Sequence, residues 1–184
     1  MKGMVFTEFM EMVEANWSLD MVDTIIDRSQ VESGGAYTSV GTYPHHEMIA
    51  LVSALSVETE IPVAELVRIF GNHLFGRFVL AYPRLFDGIT DSFQFLSGIE
   101  DIIHAEVRKL YPDAELPTFE VESAPGHPTP KLTLTYFSDH PFADLAQGLI
   151  EGCLKHFGEA VMLQRDPAPH LASAQARFVL TRQE

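Results

Sequence analysis

Residues 91–111 read DSFQFLSGIEDIIHAEVRKLY, and the rest of the chain is parsed outward from them. Leu96, Ile99, Ile103, Val107 and Leu110 recur at intervals of three and four, the period of a helix with one buried stripe. Asp91 or Ser92 can cap its start, because a short side-chain oxygen accepts one of the unpaired N–H groups of the first turn. Arg108 and Lys109 stand near the end, where positive charge suits the helix dipole. The spacing therefore predicts one helix over residues 91–111. His104 falls beside the stripe, on the flank it shares with Phe93 and Tyr111. A lone histidine there is most often a boundary residue with one ring nitrogen hydrogen-bonded. Nothing else in this helix accounts for it.

On the C-terminal side the texture changes. Pro112, Pro117, Pro128 and Pro130 break helices. Between them residues 118–122 and 131–137 alternate as strands, with Leu132, Leu134 and Tyr136 on one face and Thr133 and Thr135 on the other. The segment SAPGHPT joins them as a long hairpin loop. Residues 141–157 return to helical spacing, and 160–164 with 174–181 read as a closing strand pair. On the N-terminal side four helices are expected, over 4–16, 17–26, 44–57 and from Pro62 through Phe75. The polar, glycine-rich residues 29–42 form a loop with room for a short extended piece at 37–40. Phe70, Phe75, Phe78, Tyr82, Phe86, Phe93 and Phe95 crowd the centre of the chain, either as core or as the wall of a flat apolar cofactor. The pattern is α+β: a helical front part, about 1–111, then an antiparallel four-stranded sheet with an inserted helix, about 112–184. We read it as a single domain, 1–184.

Composition narrows the function. At 184 residues the chain can fill one core. A net charge of −14 repels phosphate backbones, so nucleic acid is not an expected partner. No apolar run reaches the length of a membrane span, and the start MKGMVFTEFMEMVEANW has the wrong chemistry for a signal peptide. A cytoplasmic protein with no membrane partner is expected. The lone Cys153 excludes an internal disulfide and reads as a small buried filler. His45, His46 and Glu47, with His73 downstream, are the competing metal constellation for hydrolysis; solvated residues on a first helical turn are the commoner reading. No phosphate loop, nucleophile elbow or triad motif is present, so no enzyme is expected.

The run from Asp101 through His104 to Tyr111 resembles the proximal-ligand helix of the haem nitric oxide/oxygen-binding (H-NOX) family, relatives of the soluble guanylate cyclase sensor domain. Met1-Lys2-Gly3, Ile61-Pro62 with Val67, Phe70-Gly71 and Leu74-Phe75, and Leu145, Gly148-Leu149, Gly152 and His156-Phe157 resemble further parts of it in order, over nearly the whole chain. The resemblance implies haem b (iron protoporphyrin IX) with His104 as the iron's axial ligand and Pro117 against the haem face. The family's Tyr-x-Ser-x-Arg motif, which grips the propionates, is matched by Tyr136 and Ser138, with His140 in place of the Arg. An imidazole is shorter than a guanidinium and mostly neutral at pH 7, so this anchor is weakened.

Val5, Phe9, Leu145 and Leu149 are the implied apolar cofactor contacts. Leu145 stands where oxygen-binding relatives carry a tyrosine, which points to nitric oxide, or carbon monoxide, as the ligand. The implied function is a gas sensor that changes shape when the Fe–His bond is weakened and regulates a separate histidine kinase or diguanylate cyclase. The alternative, kept open by His140, is a haem-free interaction or apolar-ligand module of the same fold. Some relatives carry a Cys/His zinc cluster near the C-terminus; with His170 alone there, no structural zinc is expected.

Overall fold

The computed structural model describes residues 1–123, 130–166 and 174–183. The front part comprises α1 (Gly3–Asn16), α2 (Leu19–Ser29), α3 (His45–Thr59) and α4 (Val63–Ala81). Ser18 stops the first helix and starts the second, its side chain accepting from the Met21 N–H at 3.1 Å. Pro44 and Pro62 stand at the N-caps of α3 and α4, where a missing N–H costs nothing. α4 runs six residues beyond Phe75, the last of its predicted apolar positions. Phe6, Phe9, Met12, Ile25, Leu51, Leu55, Leu66 and Phe70 are the centre of the front core.

The extended piece expected at 37–40 is not a strand. A strand needs a partner for its ladder, and among the described residues the one bridge outside the sheet joins Lys2 to Thr42. Tyr37 instead stacks on Phe6, ring centroids 4.4 Å apart, and donates its hydroxyl to Glu47 at 2.7 Å.

The rear part holds β1 (Thr118–Ser123), β2 (Lys131–Phe137), α7 (Ala143–Phe157), β3 (Val161–Asp166) and β4 (Ala174–Arg182). The strands form one antiparallel sheet in the order β1-β2-β4-β3. Leu132, Leu134 and Tyr136 face the rear core together with Phe178, Leu180 and Phe95. Thr133 and Thr135 on the opposite face are buried as well. β2 is a central strand, and the Arg177–Glu122 ion pair, 3.9 Å, reaches over it from the strands on either side. The SAPGHPT loop lies largely outside the described residues, as do His127 and His170.

Residues 91–111 are not one continuous α-helix. They divide into α5 (Ser92–Ser97), a π-helical turn (Ile99–His104) and α6 (Ala105–Leu110). Asp91 is the cap, accepting from the Gln94 N–H at 2.9 Å. Gly98 takes the C-cap of α5, and its carbonyl accepts from both Ile102 and Ile103. The wider turn holds one residue more than an α turn. Its effect on the stripe is direct: Leu96 and Ile99 are buried, Ile103 and Val107 only partly so, and Leu110 is 57% exposed. His104, not Ile103, takes the inward position.

The two cores are joined by α4 and α7, which cross at backbone contact. A Cβ on Gly71 would lie 2.4 Å from the Leu145 carbonyl oxygen, one on Gly148 2.1 Å from that of Arg68, and one on Gly152 2.7 Å from Phe75 Cβ. Only glycine permits that approach. No helix among the described residues is long and apolar enough to cross a membrane.

Candidate haem site

His104 closes the π-helical turn and is 9% exposed. Its Nδ1 lies 3.0 Å from Glu100 Oε1, one helical turn back. The same carboxylate oxygen accepts the Phe119 N–H at 2.8 Å. A carboxylate accepts, so Nδ1 carries the imidazole proton and Nε2 presents its lone pair. Burial holds the imidazole below the ordinary histidine pKa, against the pull of the Glu100 carboxylate. Among the described residues nothing hydrogen-bonds to Nε2. A neutral, oriented imidazole with an uncommitted nitrogen is what an axial metal ligand requires.

Next to it the His104 ring is tilted against Phe119 at 6.1 Å, and Phe119 packs edge-on to Tyr136 at 5.3 Å. Tyr136 is buried among the rear-core residues; burial raises its hydroxyl pKa, and a hydrogen bond with the Ser138 side chain opposes that. Ser138 Oγ accepts the His140 N–H at 3.1 Å. The expected Tyr136, Ser138 and His140 thus form one connected group. His140 turns away from it: Nε2 lies 3.2 Å from Glu115 Oε2, and the ring lies 4.1 Å from that of His45 at the start of α3. Burial, then His140 and His46, hold His45 below its ordinary pKa.

The four expected apolar contacts gather on the other core. Phe9 is fully buried, edge-on to Phe70 at 5.3 Å, while Val5 and Leu145 pack at the margin of the front core. Leu149 packs against both cores. Pro117 is half-buried just before β1. The axial end therefore fits a haem, and the carboxylate-binding end departs from the family pattern, since His140 already has an anionic partner.

Among the described residues, the histidine pair at the start of α3 is joined by no further side chains into a group that could hold a metal ion. His46 is exposed, and Glu47, expected in solvent, is 2% exposed and takes hydrogen bonds from the Ser33 N–H and hydroxyl and from Tyr37. His73 pairs with Glu8 at 3.6 Å. Among the described residues no three metal-binding side chains converge.

The sequence profile of the Haem-NO-binding family matches residues 2–165. The chain belongs to that family. The unliganded Fe(II) H-NOX protein from K. algicida shares 37% identity and superposes with a TM-score of 0.90, over 100% of this chain and 97% of that one. The H-NOX from Shewanella woodyi, solved with IWP-051 in its Fe(II)CO state, shares 40% identity with a TM-score of 0.83, over 100% and 95%. At 24% identity and a TM-score of 0.89, the S. oneidensis H-NOX in its Fe(II)NO state has the same fold over the full length of both chains. No curated protein matches the chain. The α+β fold is that of an H-NOX domain, and haem is the cofactor of that family of gas sensors.

Sequence reasoning missed Glu100. The signal was available, because a Glu four residues before a His on a helix lies within reach of it. The His45–His140 contact had no such signal.

Proposed function

We propose that this H-NOX domain senses nitric oxide through a haem held by His104, and reports to a separate signalling protein. One observation carries the reading: a buried histidine with Nδ1 committed to Glu100 and Nε2 uncommitted among the described residues. A haem held there by His104 would supply an iron able to bind a diatomic gas, and His104 would be the residue whose hold on the iron the gas alters.

The chain's own residues supply the rest. His104 ends a turn one residue wider than its neighbours, so its release allows α6 to shift. α6 runs into Tyr111, whose ring lies under Lys2 Nζ at 5.4 Å and whose hydroxyl is 3.4 Å from that of Tyr82. Asp113 accepts from Lys2 Nζ at 3.1 Å and from the Thr42 hydroxyl at 3.0 Å. Movement of α6 is thereby delivered to the start of α1, a two-state element that a ligand can bias.

Val5, Phe9 and Leu145 offer no hydrogen-bond donor, so polar bound oxygen gains nothing from them and nitric oxide is favoured, with carbon monoxide second. A histidine kinase or diguanylate cyclase is the partner that the family resemblance suggests. Tyr136 and Ser138 are the propionate contacts of this reading, and His140 joins them once Glu115 gives way. A haem-free module is the second reading, favoured by that same His140–Glu115 pair.

The test is the absorption spectrum of ferrous protein before and after nitric oxide. A Soret band near one haem per chain that shifts with nitric oxide, and is lost in His104→Ala unless imidazole is added, is expected. A folded protein that takes up no haem sinks the sensor reading in favour of the second.

A further inference from the structure

Glu100 is the residue in this neighbourhood that a gas-sensing role does not by itself require. Its Oε1 takes two hydrogen bonds, from His104 Nδ1 on its own segment and from the Phe119 N–H at the start of the sheet. Oε2 lies 3.8 Å from Arg108 Nη2. The carboxylate is three-quarters shielded, with 26% side-chain exposure, and the imidazole it faces is more so at 11%. A hydrogen bond to a charged acceptor in such a setting is shorter and stronger than one to a neutral carbonyl. A carboxylate on the far nitrogen of a metal-binding imidazole fixes the ring's orientation and raises the basicity of the other nitrogen.

We infer that Glu100 is a positioning residue that strengthens the bond from His104 Nε2 to the iron, and so sets how readily the sensor lets its histidine go. The inference rests on the reading of His104 as axial ligand. Two features give it substance beyond proximity. The π-helical turn aims His104 inward while keeping it within reach of Glu100. The Phe119 amide clamps the carboxylate from a different element, so the ring is referenced to the sheet as well as to its own helix. With a negative acceptor the imidazole gains imidazolate character. A stronger donor resists displacement by a gas on the opposite side, and disfavours ferrous relative to ferric iron.

Glu100→Gln isolates the charge. An amide oxygen has two lone pairs, so it can still accept from both His104 Nδ1 and Phe119, and what is lost is the negative charge together with its attraction for Arg108. In the ferrous holoprotein the iron–histidine stretching frequency is expected to fall, the reduction potential to rise, and a larger fraction of the nitric oxide complex to have lost His104. The decisive comparison uses His104→Gly, with free imidazole or 1-methylimidazole supplied in its place, with and without Glu100→Gln. Imidazole keeps an N–H for Glu100, so its affinity is expected to drop about tenfold in the Gln background. 1-Methylimidazole has no such N–H, and its affinity is expected to stay unchanged.

An unchanged stretching frequency with unchanged imidazole affinity overturns the role of Glu100 while leaving His104 as ligand. Equal weakening of both imidazoles overturns it too, as a general disturbance of the pocket. Should His104→Gly keep its axial ligand without any imidazole, the reading of His104 fails, and the Glu100 inference with it.

Discussion

Glu47 shows how one buried charge can fix a loop. It takes hydrogen bonds from the Ser33 N–H at 3.3 Å, the Ser33 hydroxyl at 2.6 Å and the Tyr37 hydroxyl at 2.7 Å. Burial pushes its carboxyl up, and the Ser33 and Tyr37 donors more than offset that, holding it below the ordinary carboxylate value. Glu47→Ala strands those donors and is expected to cost about 2–3 kcal/mol in urea unfolding. The pH dependence follows from the lowered value: the contribution is complete above the unfolded carboxyl pKa and is lost as pH falls through the folded one. Unfolding of both proteins between pH 6 and pH 3 should therefore show the gap narrowing at the acid end. Cys153 makes a second prediction. Burial raises its thiol pKa, and the side chain has no exposure, so iodoacetamide is expected to label the protein only once it is unfolded. Cys153 was legible from its apolar helical neighbours. Glu47 was not, because at the first turn of a helix a carboxylate is ordinarily solvated, and its partners sit in a loop without periodicity.

At the scale of elements, the helices and strands were legible because each carries its own period, and three helix starts because Pro44, Pro62 and Asp91 stand at them. The π-helical turn was not. It keeps a helical pattern on both sides and reveals itself only through the altered phase at Ile103 and His104. The pairing of α4 with α7 was legible only in part: Gly71, Gly148 and Gly152 are conspicuous, but no local rule says which glycines meet. Gly148→Ala places a Cβ against the Arg68 carbonyl and is expected to destabilise by about 3 kcal/mol, or to prevent folding. Gly76 lies on the same α4 with nothing within 4 Å of an added Cβ. Gly76→Ala is therefore expected to stabilise by about 0.5–1 kcal/mol, with both variants read by urea unfolding. Equal effects at the two glycines would mean that the crossing does not depend on close backbone approach.

For the whole molecule, α4 supplies Leu66, Phe70 and Leu74 to the front core and Phe75 to the rear one. A helix shared in this way couples the two, so calorimetry of the holoprotein is expected to give a single cooperative transition. Two resolved transitions would instead divide the chain into separate folding units. The long-range junctions were beyond sequence reasoning. The network in which Ser92 donates to Glu159 while Arg182 pairs with both Asp91 and Glu159 joins residues up to 91 positions apart. For any movement of one core against the other, the crossing of α4 and α7 would serve as the fulcrum. Where two backbones touch, neither can slide, and what remains is rotation about the point of contact. Displacement then grows with the length of the arm. It is smallest at Arg68 and Glu151, paired across the crossing at 3.4 Å, and larger toward α2, which packs mainly on α1 and α3. A pair of spin labels on α4 and α7 beside the crossing is then expected to keep its separation in any such movement, whereas one at exposed Leu19 on α2 is expected to be displaced further.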